Sequence, residues 1–296
     1  MNATLQLHLL VFLVAFTSVF GKLYSGGAAS LVTWRVAISA VGAFLWVRLA
    51  RRHRISADRW LAMVGVGAII GLHWLCFFGA IKLANISICL TGMATISLFT
   101  AFTEPLFDRR RIRPFEVLLG LVVVGGIAVV ANVERKYLPG LGVALLGAFF
   151  AAVFPVLNRH LVNAGRDPLV MVGWEMIGAT LVCLLCMPLI DDTGFASLLE
   201  PRGIDWVWLL GLALICTVFG QAWYNALLRR ITAYTANLAM NCEPIYGIAL
   251  AILFFREDRE LHPLTYIAVL AIVGTNLAHP WLERKARTVK LETGRG

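Results

Sequence analysis

The sequence predicts an all-α membrane protein of ten transmembrane helices, arranged as two inverted five-helix repeats. Two observations carry this prediction: the composition of the chain, and a repeat that relates its two halves. Hydrophobic residues make up 59% of the 296 positions and charged residues 15%, and the mean hydropathy is +0.80. Soluble domains are closer to half apolar and a quarter charged. Because the apolar excess is spread over many segments, we expect most of the chain to contact lipid or other apolar helices.

Each predicted span is a run of about 20 mostly apolar residues, which is the length that crosses a bilayer. The connections between the runs are too short to hold a soluble domain. We therefore predict one membrane domain over 1–282, with repeat one over about 5–132 and repeat two over about 140–282, and a polar cytoplasmic tail over 283–296. The runs, numbered here as spans 1 to 10, are 5–24, 28–48, 60–81, 84–107, 114–132, 140–161, 169–190, 205–228, 233–255 and 263–282.

The positions of Lys and Arg predict the orientation, because short loops rich in these residues stay in the cytoplasm. Basic clusters follow span 2, at Arg51-Arg52, and span 4, at Arg109-Arg110-Arg111, and further basic residues follow spans 6, 8 and 10. Both termini are therefore predicted to be cytoplasmic, in a multi-pass protein of the bacterial inner (plasma) membrane. The same distribution argues against a nucleic-acid partner, since the positive charge lies in short loops rather than on a solvated face.

The internal repeat appears when spans 3–5 are aligned with spans 8–10 without a gap. Trp74 then falls on Trp223, and Pro114 falls on Pro263. Because each repeat holds five spans, an odd number, the second must be inverted relative to the first. Inverted repeats suit alternating access around a site near the midplane. Duplication also builds channels and scaffolds, so a non-transporting membrane scaffold or channel remains an alternative.

Several short motifs occur in a fixed order along this five-plus-five plan. They include Ala80-Ile81-Lys82-Leu83-Ala84 at the end of span 3, Glu243-Pro244 within span 9, and Phe254-Phe255-Arg256-Glu257 at its end. The ordered set resembles the EamA-type, ten-helix branch of the drug/metabolite transporter (DMT) superfamily. The resemblance implies export or exchange of amino acids and related small metabolites, without a cofactor, through a central cavity lined by spans 1, 3, 4, 6, 8 and 9.

Span 4 departs from the pattern of span 9. It has Ala94-Thr95 at the position where span 9 has Glu243-Pro244, and its proline, Pro105, lies at the cytoplasmic end. The sequence therefore argues against a symmetric hinge in the two repeats.

Glu243 is the leading candidate for a functional charge within the membrane. An ionisable group at the centre of a span costs about 2.5–3.5 kcal/mol on insertion scales, so it needs a partner or a function. Pro244 removes a backbone N–H and crowds the carbonyl of Met240, four residues back. A carboxylate beside a kinked helix could bind an amine or carry a coupling proton. The alternative is a structural carboxylate that is hydrogen-bonded to its neighbours and holds the kink.

Amide side chains share helix faces in spans 8 and 9. Asn237 and Asn241 are four residues apart in span 9, and Gln221 and Asn225 repeat this spacing in span 8, where Tyr224 adjoins them. Residues four apart lie on one face of a helix. We interpret them as a polar wall of a hydrated cavity. The alternative is interhelical hydrogen bonding, worth about 0.6 kcal/mol on average.

Aromatic and basic side chains complete the set of candidate cavity residues. In span 3, His73, Trp74 and Phe77 could form a wall for an amphiphilic substrate or place a ring face against a cation; helix packing is the alternative. Lys22 and Arg35 lie towards the outer ends of spans 1 and 2. They could attract a carboxylate substrate, or snorkel to lipid phosphates.

An intramembrane enzyme is the rival from another class, and it would need a paired constellation of catalytic groups within the spans. The sequence contains no HExxH, its six histidines are scattered, and its six cysteines lie in apolar runs without metal-ligand spacing. We therefore predict no enzymatic activity, no catalytic residue, no metal and no cofactor. The expected partners are a small-molecule substrate, the lipid bilayer and, as a further candidate, a coupling proton, with the chain a monomer or homodimer.

Overall fold

The structure, a computed structural model, describes residues 3–50, 58–108, 114–227, 240 and 242–292, and the regular secondary structure of these residues is helical throughout. Short 3₁₀ turns connect some of the helices, and a π-helical segment, Gly211–Phe219, joins two of them. The α-helices are α1 (Ala3–Leu23), α2 (Ala28–Leu49), α3 (Trp60–Leu83), α4 (Ile86–Met93), α5 (Ile96–Asp108), α6 (Pro114–Val133), α7 (Leu138–Asn163), α8 (Pro168–Ile190), α9 (Asp205–Leu210), α10 (Gly220–Leu227), α11 (Glu243–Phe255) and α12 (Pro263–Glu292).

The apolar helices make the chain a multi-pass membrane protein. Within the described residues, seven segments are long and apolar enough to cross a bilayer, and they coincide with predicted spans 1–4 and 6–8. Shorter apolar helices, Val117–Val133, Glu243–Phe255 and Pro263–Thr275, lie within predicted spans 5, 9 and 10. The total of ten stays a prediction, since much of span 9 lies outside the described residues.

The end of the chain continues the last apolar helix into the predicted polar tail. Helix α12 continues to Glu292 without interruption. The physical reason is the local sequence, because residues 283–292 contain neither Gly nor Pro and include several good helix formers. The apolar span and the polar segment therefore form one helix.

Span 4 is broken near its middle, between α4 and α5. The Thr95 hydroxyl donates to the carbonyl oxygen of Gly92 at 2.6 Å, and the Thr95 amide donates to the same oxygen at 3.1 Å. Ala94 aligns with Glu243 in the repeat, and α11 begins at Glu243. Span 4 is therefore interrupted at the position that the repeat aligns with the first residue of α11. A threonine hydroxyl can satisfy backbone groups freed at a break, so no proline is needed.

Helix α3 packs against both α7 and α8, and its contact with α8 brings backbone against backbone. A Cβ atom on Gly67 would lie 1.8 Å from the carbonyl oxygen of Glu175, and one on Gly178 would lie 1.9 Å from that of Val64. Small residues at helix contacts allow this approach in membranes. Helices at equivalent positions of the two repeats also meet, α2 with α8 and α6 with α12.

The junctions between helices define two ends of the bundle. At what we call the Tyr24 end, Lys82 donates to the carbonyl oxygen of Tyr24 at 2.5 Å, and Ser25 donates to Asp205 through both its amide and its hydroxyl. At the opposite end, which we call the Asp58 end, Asp58 and Arg166 form an ion pair between the α2–α3 and α7–α8 connections.

Candidate functional site

The centre of the candidate site is the guanidinium of Arg35, which α2 carries into the interior of the bundle. Arg35 is only 2% exposed, and its Nε donates to the Thr217 hydroxyl at 2.8 Å. The guanidinium carbon lies 3.9 Å from the centroid of the Trp74 ring and 5.4 Å from that of Phe78. Such cation–π contacts are worth about 2 kcal/mol or more when they are desolvated. The snorkelling alternative is therefore wrong for Arg35, because its head group is buried against aromatic rings.

Thr217 lies within the π-helical segment, which also supplies a second contact to α2. The Thr217 hydroxyl donates to the carbonyl oxygen of Leu212, five residues earlier, at 2.8 Å. The Ser39 hydroxyl, one turn beyond Arg35, donates to the Ala213 carbonyl oxygen at 3.0 Å. Single π turns inside α-helices are frequent at functional sites. Here the π turn fixes the oxygen that accepts from Arg35.

One end of the Arg35 guanidinium has no partner in the described part of the chain. Its Nη1 is buried and makes no hydrogen bond. The Glu243 carboxylate, at the first position of α11, is partly buried and interacts electrostatically with Arg35. A negative side chain in the first turn of a helix is favoured by the helix dipole. The site thus combines a cation with unused donor capacity and a carboxylate of opposite charge.

His73 and Phe77 lie beside this site and are held by packing. His73 is within electrostatic range of Arg35, but its Nδ1 donates to the carbonyl oxygen of Gly147 on α7 at 2.9 Å. Its ring lies 5.7 Å from that of Phe154, and Phe77 is 4% exposed. This geometry supports the alternative of a hydrogen-bonded core histidine, with Trp74 as the aromatic residue that contacts the buried cation.

Lys22 has its own partner at the Tyr24 end. It forms a 2.6 Å ion pair with Glu257, whose side chain is fully buried. Glu257 also accepts from the amides of Ile86 and Ser87, at 3.1 and 2.8 Å, and from the Ser87 hydroxyl at 2.6 Å. The carboxylate therefore caps the start of α4 and ties α11 to α1 and α4, so Lys22 is engaged in a junction rather than beside Arg35.

The amide residues of spans 8 and 9 have different surroundings. Tyr224 packs in an apolar cluster with side chains of α1 and α11. Asn225 is fully buried, and neither atom of its amide makes a hydrogen bond within the described residues, whereas Gln221 is partly exposed. Asn237 and Asn241 lie outside the described residues. The polar wall remains a prediction.

One residue of the site was missed by the sequence reasoning, Thr217. Phe78 was read from the sequence, together with Phe77, as part of the aromatic wall of span 3. Thr217 is a polar residue in the apolar segment Gly211–Phe219, and this was the available signal, but composition does not reveal a π turn. Its link with Arg35 joins the two repeats, and no local pattern reports such a contact.

The fold is a bundle of apolar helices around a buried arginine. The sequence model of the EamA-like transporter family matches residues 2–132 and 138–278, so the chain belongs to this family and contains its repeat twice. The resemblance read from the sequence is thereby confirmed.

Individual relatives agree with this assignment. The chain is 26% identical over 235 residues to a protein of Pseudomonas aeruginosa named probable biotin transporter, which covers 75% of this chain and 77% of the relative. A solved crystal structure is similar with a TM-score of 0.65 at 18% identity, covering 96% of this chain and 98% of that one, and it supports the fold alone. The family and the relative's name point to a transporter rather than an enzyme.

Proposed function

We propose that this chain is a secondary transporter, working as an exporter, of small metabolites such as amino acids or related amphiphilic compounds. It moves them by alternating access through a central cavity between two inverted repeats. It works in the inner membrane with ten spans, and the Asp58 end and both termini face the cytoplasm. The basic residues that flank the Asp58 end support this orientation.

The observation that carries the proposal is the partly satisfied Arg35 guanidinium beside Glu243. Arginine binds carboxylates through two parallel N–H donors, and the buried Nη1 makes no hydrogen bond to any described residue. Glu243 supplies the negative charge that an ammonium group needs, and Trp74 and Phe78 supply apolar surface. The set fits a small molecule that has a carboxylate, an amine or other polar group, and an apolar part. Biotin, in the name of the relative, is also a carboxylate with an apolar chain.

The junction contacts support a state in which the site is closed towards the Tyr24 end. Bonds between the repeats there include Lys22 with Glu257 and Gly27 with Glu200, the latter at 2.7 Å. Opening towards that side requires these bonds to break, which is the behaviour that alternating access demands of one end at a time.

Counterflow in proteoliposomes tests the function directly. Vesicles that hold the purified protein are loaded with one unlabelled compound from a panel of amino acids, amines, nucleosides and biotin, and uptake of the labelled compound is followed. A transporter gives saturable counterflow for at least one member. Conductance without saturation would instead identify a channel, and the absence of any flux would support a scaffold.

The role of Glu243 is tested by Glu243→Gln in the same assay. The substitution keeps the shape and removes the charge, so counterflow of amine-bearing substrates is expected to fall sharply. If transport and its pH dependence are unchanged, Glu243 neither binds the substrate nor carries a proton.

A further inference from the structure

A second polar site lies between α7 and α8, apart from the Arg35 site. Glu175 of α8 and Asn158 of α7 are both fully buried. The Glu175 carboxyl group lies close enough to the Asn158 amide to interact with it. Yet, within the described residues, both carboxyl oxygens and both polar atoms of the amide are without a hydrogen bond of ordinary geometry. Four unsatisfied polar atoms in one buried place are unusual, because each costs about 1–3 kcal/mol.

Within the described chain, no charged group compensates Glu175: burial and the amide of Asn158 are what act on it. Two cations lie on neighbouring helices but donate elsewhere: Arg35 donates to the Thr217 hydroxyl, and Lys82 donates to the carbonyl oxygen of Tyr24. Arg229 and Arg230, which follow α10, lie outside the described residues. The titratable side chains on the helices around Glu175 are Arg35 and Arg48 of α2, His73, Cys76 and Lys82 of α3, Arg159 and His160 of α7, Cys183 and Cys186 of α8 itself, and Tyr224 of α10.

The four atoms are complementary if the carboxyl group carries a proton. A carboxylic acid O–H can donate to the amide oxygen while the amide N–H donates to the acid carbonyl, which forms a ring of two hydrogen bonds without net charge. An ionised carboxylate could accept from the amide N–H, but it would leave the amide oxygen facing a negative charge. A bare carboxylate in this apolar setting is also expensive. The surroundings of Glu175 therefore favour a bound proton.

We propose that Glu175 and Asn158 form the proton-binding site that couples transport to a proton gradient. The proposal rests on the transport function proposed above and adds its driving ion. One proton from water bonds to a carboxylate oxygen of Glu175 while the site is open to one end, and the same O–H bond breaks when the site opens to the other. Asn158 stabilises the protonated form and is a positioning residue.

Helix α3 connects this site with the Arg35 site. Gly67 lies directly against the Glu175 backbone, and Trp74, seven residues further along, covers the Arg35 guanidinium. Seven residues of α-helix span about 10 Å. A change in how α8 packs on α3 when Glu175 gains or loses its proton therefore moves the helix that forms a wall of the substrate site.

The experiment compares gradient-driven transport with counterflow in three proteins: wild type, Glu175→Gln and Glu134→Gln. Glutamine keeps the shape at residue 175 but cannot release a proton, so accumulation driven by a pH gradient is expected to fall to the level seen without a gradient. Counterflow, which needs no net proton movement, is expected to stay at the wild-type rate. Glu134 is the matched control, since it is 4% exposed and accepts from the His262 amide and the Thr265 hydroxyl, bonds that glutamine can keep.

The outcomes separate this proposal from the transport function. If Glu175→Gln retains gradient-driven accumulation, or if the wild type shows counterflow but no response to a pH gradient, the coupling site is wrong while the transporter stands. If the wild type shows no counterflow at all, the transport function itself fails. Glu175→Asp, which keeps a titratable group, is expected to restore coupling in part.

A spectroscopic measurement tests the proton without any transport. Infrared difference spectra of the Glu243→Gln protein between low and high pH are expected to contain the carbonyl stretch of a protonated carboxylic acid. This band is expected to shift when Asn158→Leu removes the amide. The band is expected to be missing when Glu175→Gln is added. A band that persists with Glu175→Gln, or that Asn158→Leu does not shift, would contradict the assignment.

Discussion

Arg35 is held by contacts that use only part of its capacity to donate hydrogen bonds. A guanidinium carries five N–H groups in a planar fork. Thr217 accepts from Nε, Trp74 covers one face, and Nη1 donates to nothing within the described residues. The side chain is thus fixed in position while donors remain available for a ligand. Pre-organisation of this kind reduces the cost of binding.

Replacing Arg35 by lysine is expected to impair recognition of carboxylate substrates more than it impairs folding. Lysine keeps the charge, but it lacks the planar fork and stacks less well on Trp74. We expect the half-saturation concentration in counterflow to rise about tenfold or more, the equivalent of about 1.4 kcal/mol. Arg48→Lys, at an exposed position of the same helix, is the control and is expected to behave as wild type. Unchanged half-saturation in Arg35→Lys would remove Arg35 from the site.

Thr217→Val tests the contact between the two repeats. Valine preserves the shape but leaves the buried Nε–H of Arg35 without its acceptor, which costs about 1–3 kcal/mol or more for a charged donor. Both the thermal midpoint in detergent and the counterflow rate are expected to fall. In Thr180→Val the lost hydroxyl bonds the Met176 carbonyl of its own helix, so little change is expected there. Equal effects of the two substitutions would argue against a special role of Thr217.

At the scale of helices, the break in span 4 lies at the position that the repeat aligns with the start of α11. Helix α5 begins just after Thr95, and α11 begins at Glu243. Discontinuous helices in transporters present free backbone groups near the midplane, where substrates and ions bind. The break beside Thr95 gives the first repeat a point at which its helix can bend.

The contact between α3 and α8 gives a prediction for a matched pair of glycines. A Cβ on Gly67 would overlap the Glu175 carbonyl oxygen at 1.8 Å, whereas a Cβ on Gly65 would meet nothing within 4 Å. Overpacking typically costs about 1–3 kcal/mol. Gly67→Ala is therefore expected to lower the thermal midpoint and the yield of folded protein, and Gly65→Ala is expected to leave both unchanged. Equal midpoints for the two variants would show that α3 and α8 are not in backbone contact.

The sequence predicted the helices well where length and apolarity decide them. Spans 28–48 and 169–190 agree closely with Ala28–Leu49 and Pro168–Ile190. It did not predict the break beside Thr95, because a hydroxyl replaces the expected proline there. It also did not predict the π turn, since a changed hydrogen-bond register leaves no trace in composition.

The same limit applies to the site. Arg35, Trp74 and Glu243 were candidates because charged and aromatic groups are conspicuous in an apolar chain. Their mutual arrangement depends on contacts between α2, α3 and the second repeat, which spacing within one helix cannot report. Lys22 was a candidate on the same grounds, but its partner Glu257 comes from a distant part of the chain.

At the scale of the whole molecule, the inversion of the repeats predicts the membrane topology. Reporter fusions after residues near 135 and near 285 are expected to lie on opposite sides of the membrane, with the latter in the cytoplasm. Lys and Arg are concentrated on the predicted cytoplasmic side, which supports this orientation. A common location for the two reporters would contradict the inverted arrangement.

Bonds that join the two repeats close the Tyr24 end. Lys22 pairs with Glu257, the Gly27 amide donates to Glu200, and Ser25 donates to Asp205. Each partner of the first repeat meets a residue of the second. Separation of the repeats at this end therefore breaks them together, and a single covalent link there is expected to prevent opening.

Alternating access is tested most directly by a disulfide that locks the Tyr24 end. The Ser25 hydroxyl lies 2.7 Å from the Asp205 carboxylate, so Ser25→Cys with Asp205→Cys, in a background without the six native cysteines, places two thiols in contact range. If the Tyr24 end must open, oxidation abolishes counterflow and reduction restores it, while each single variant transports under both conditions. Counterflow that continues while the disulfide is formed would show that this end need not open, and would contradict alternating access.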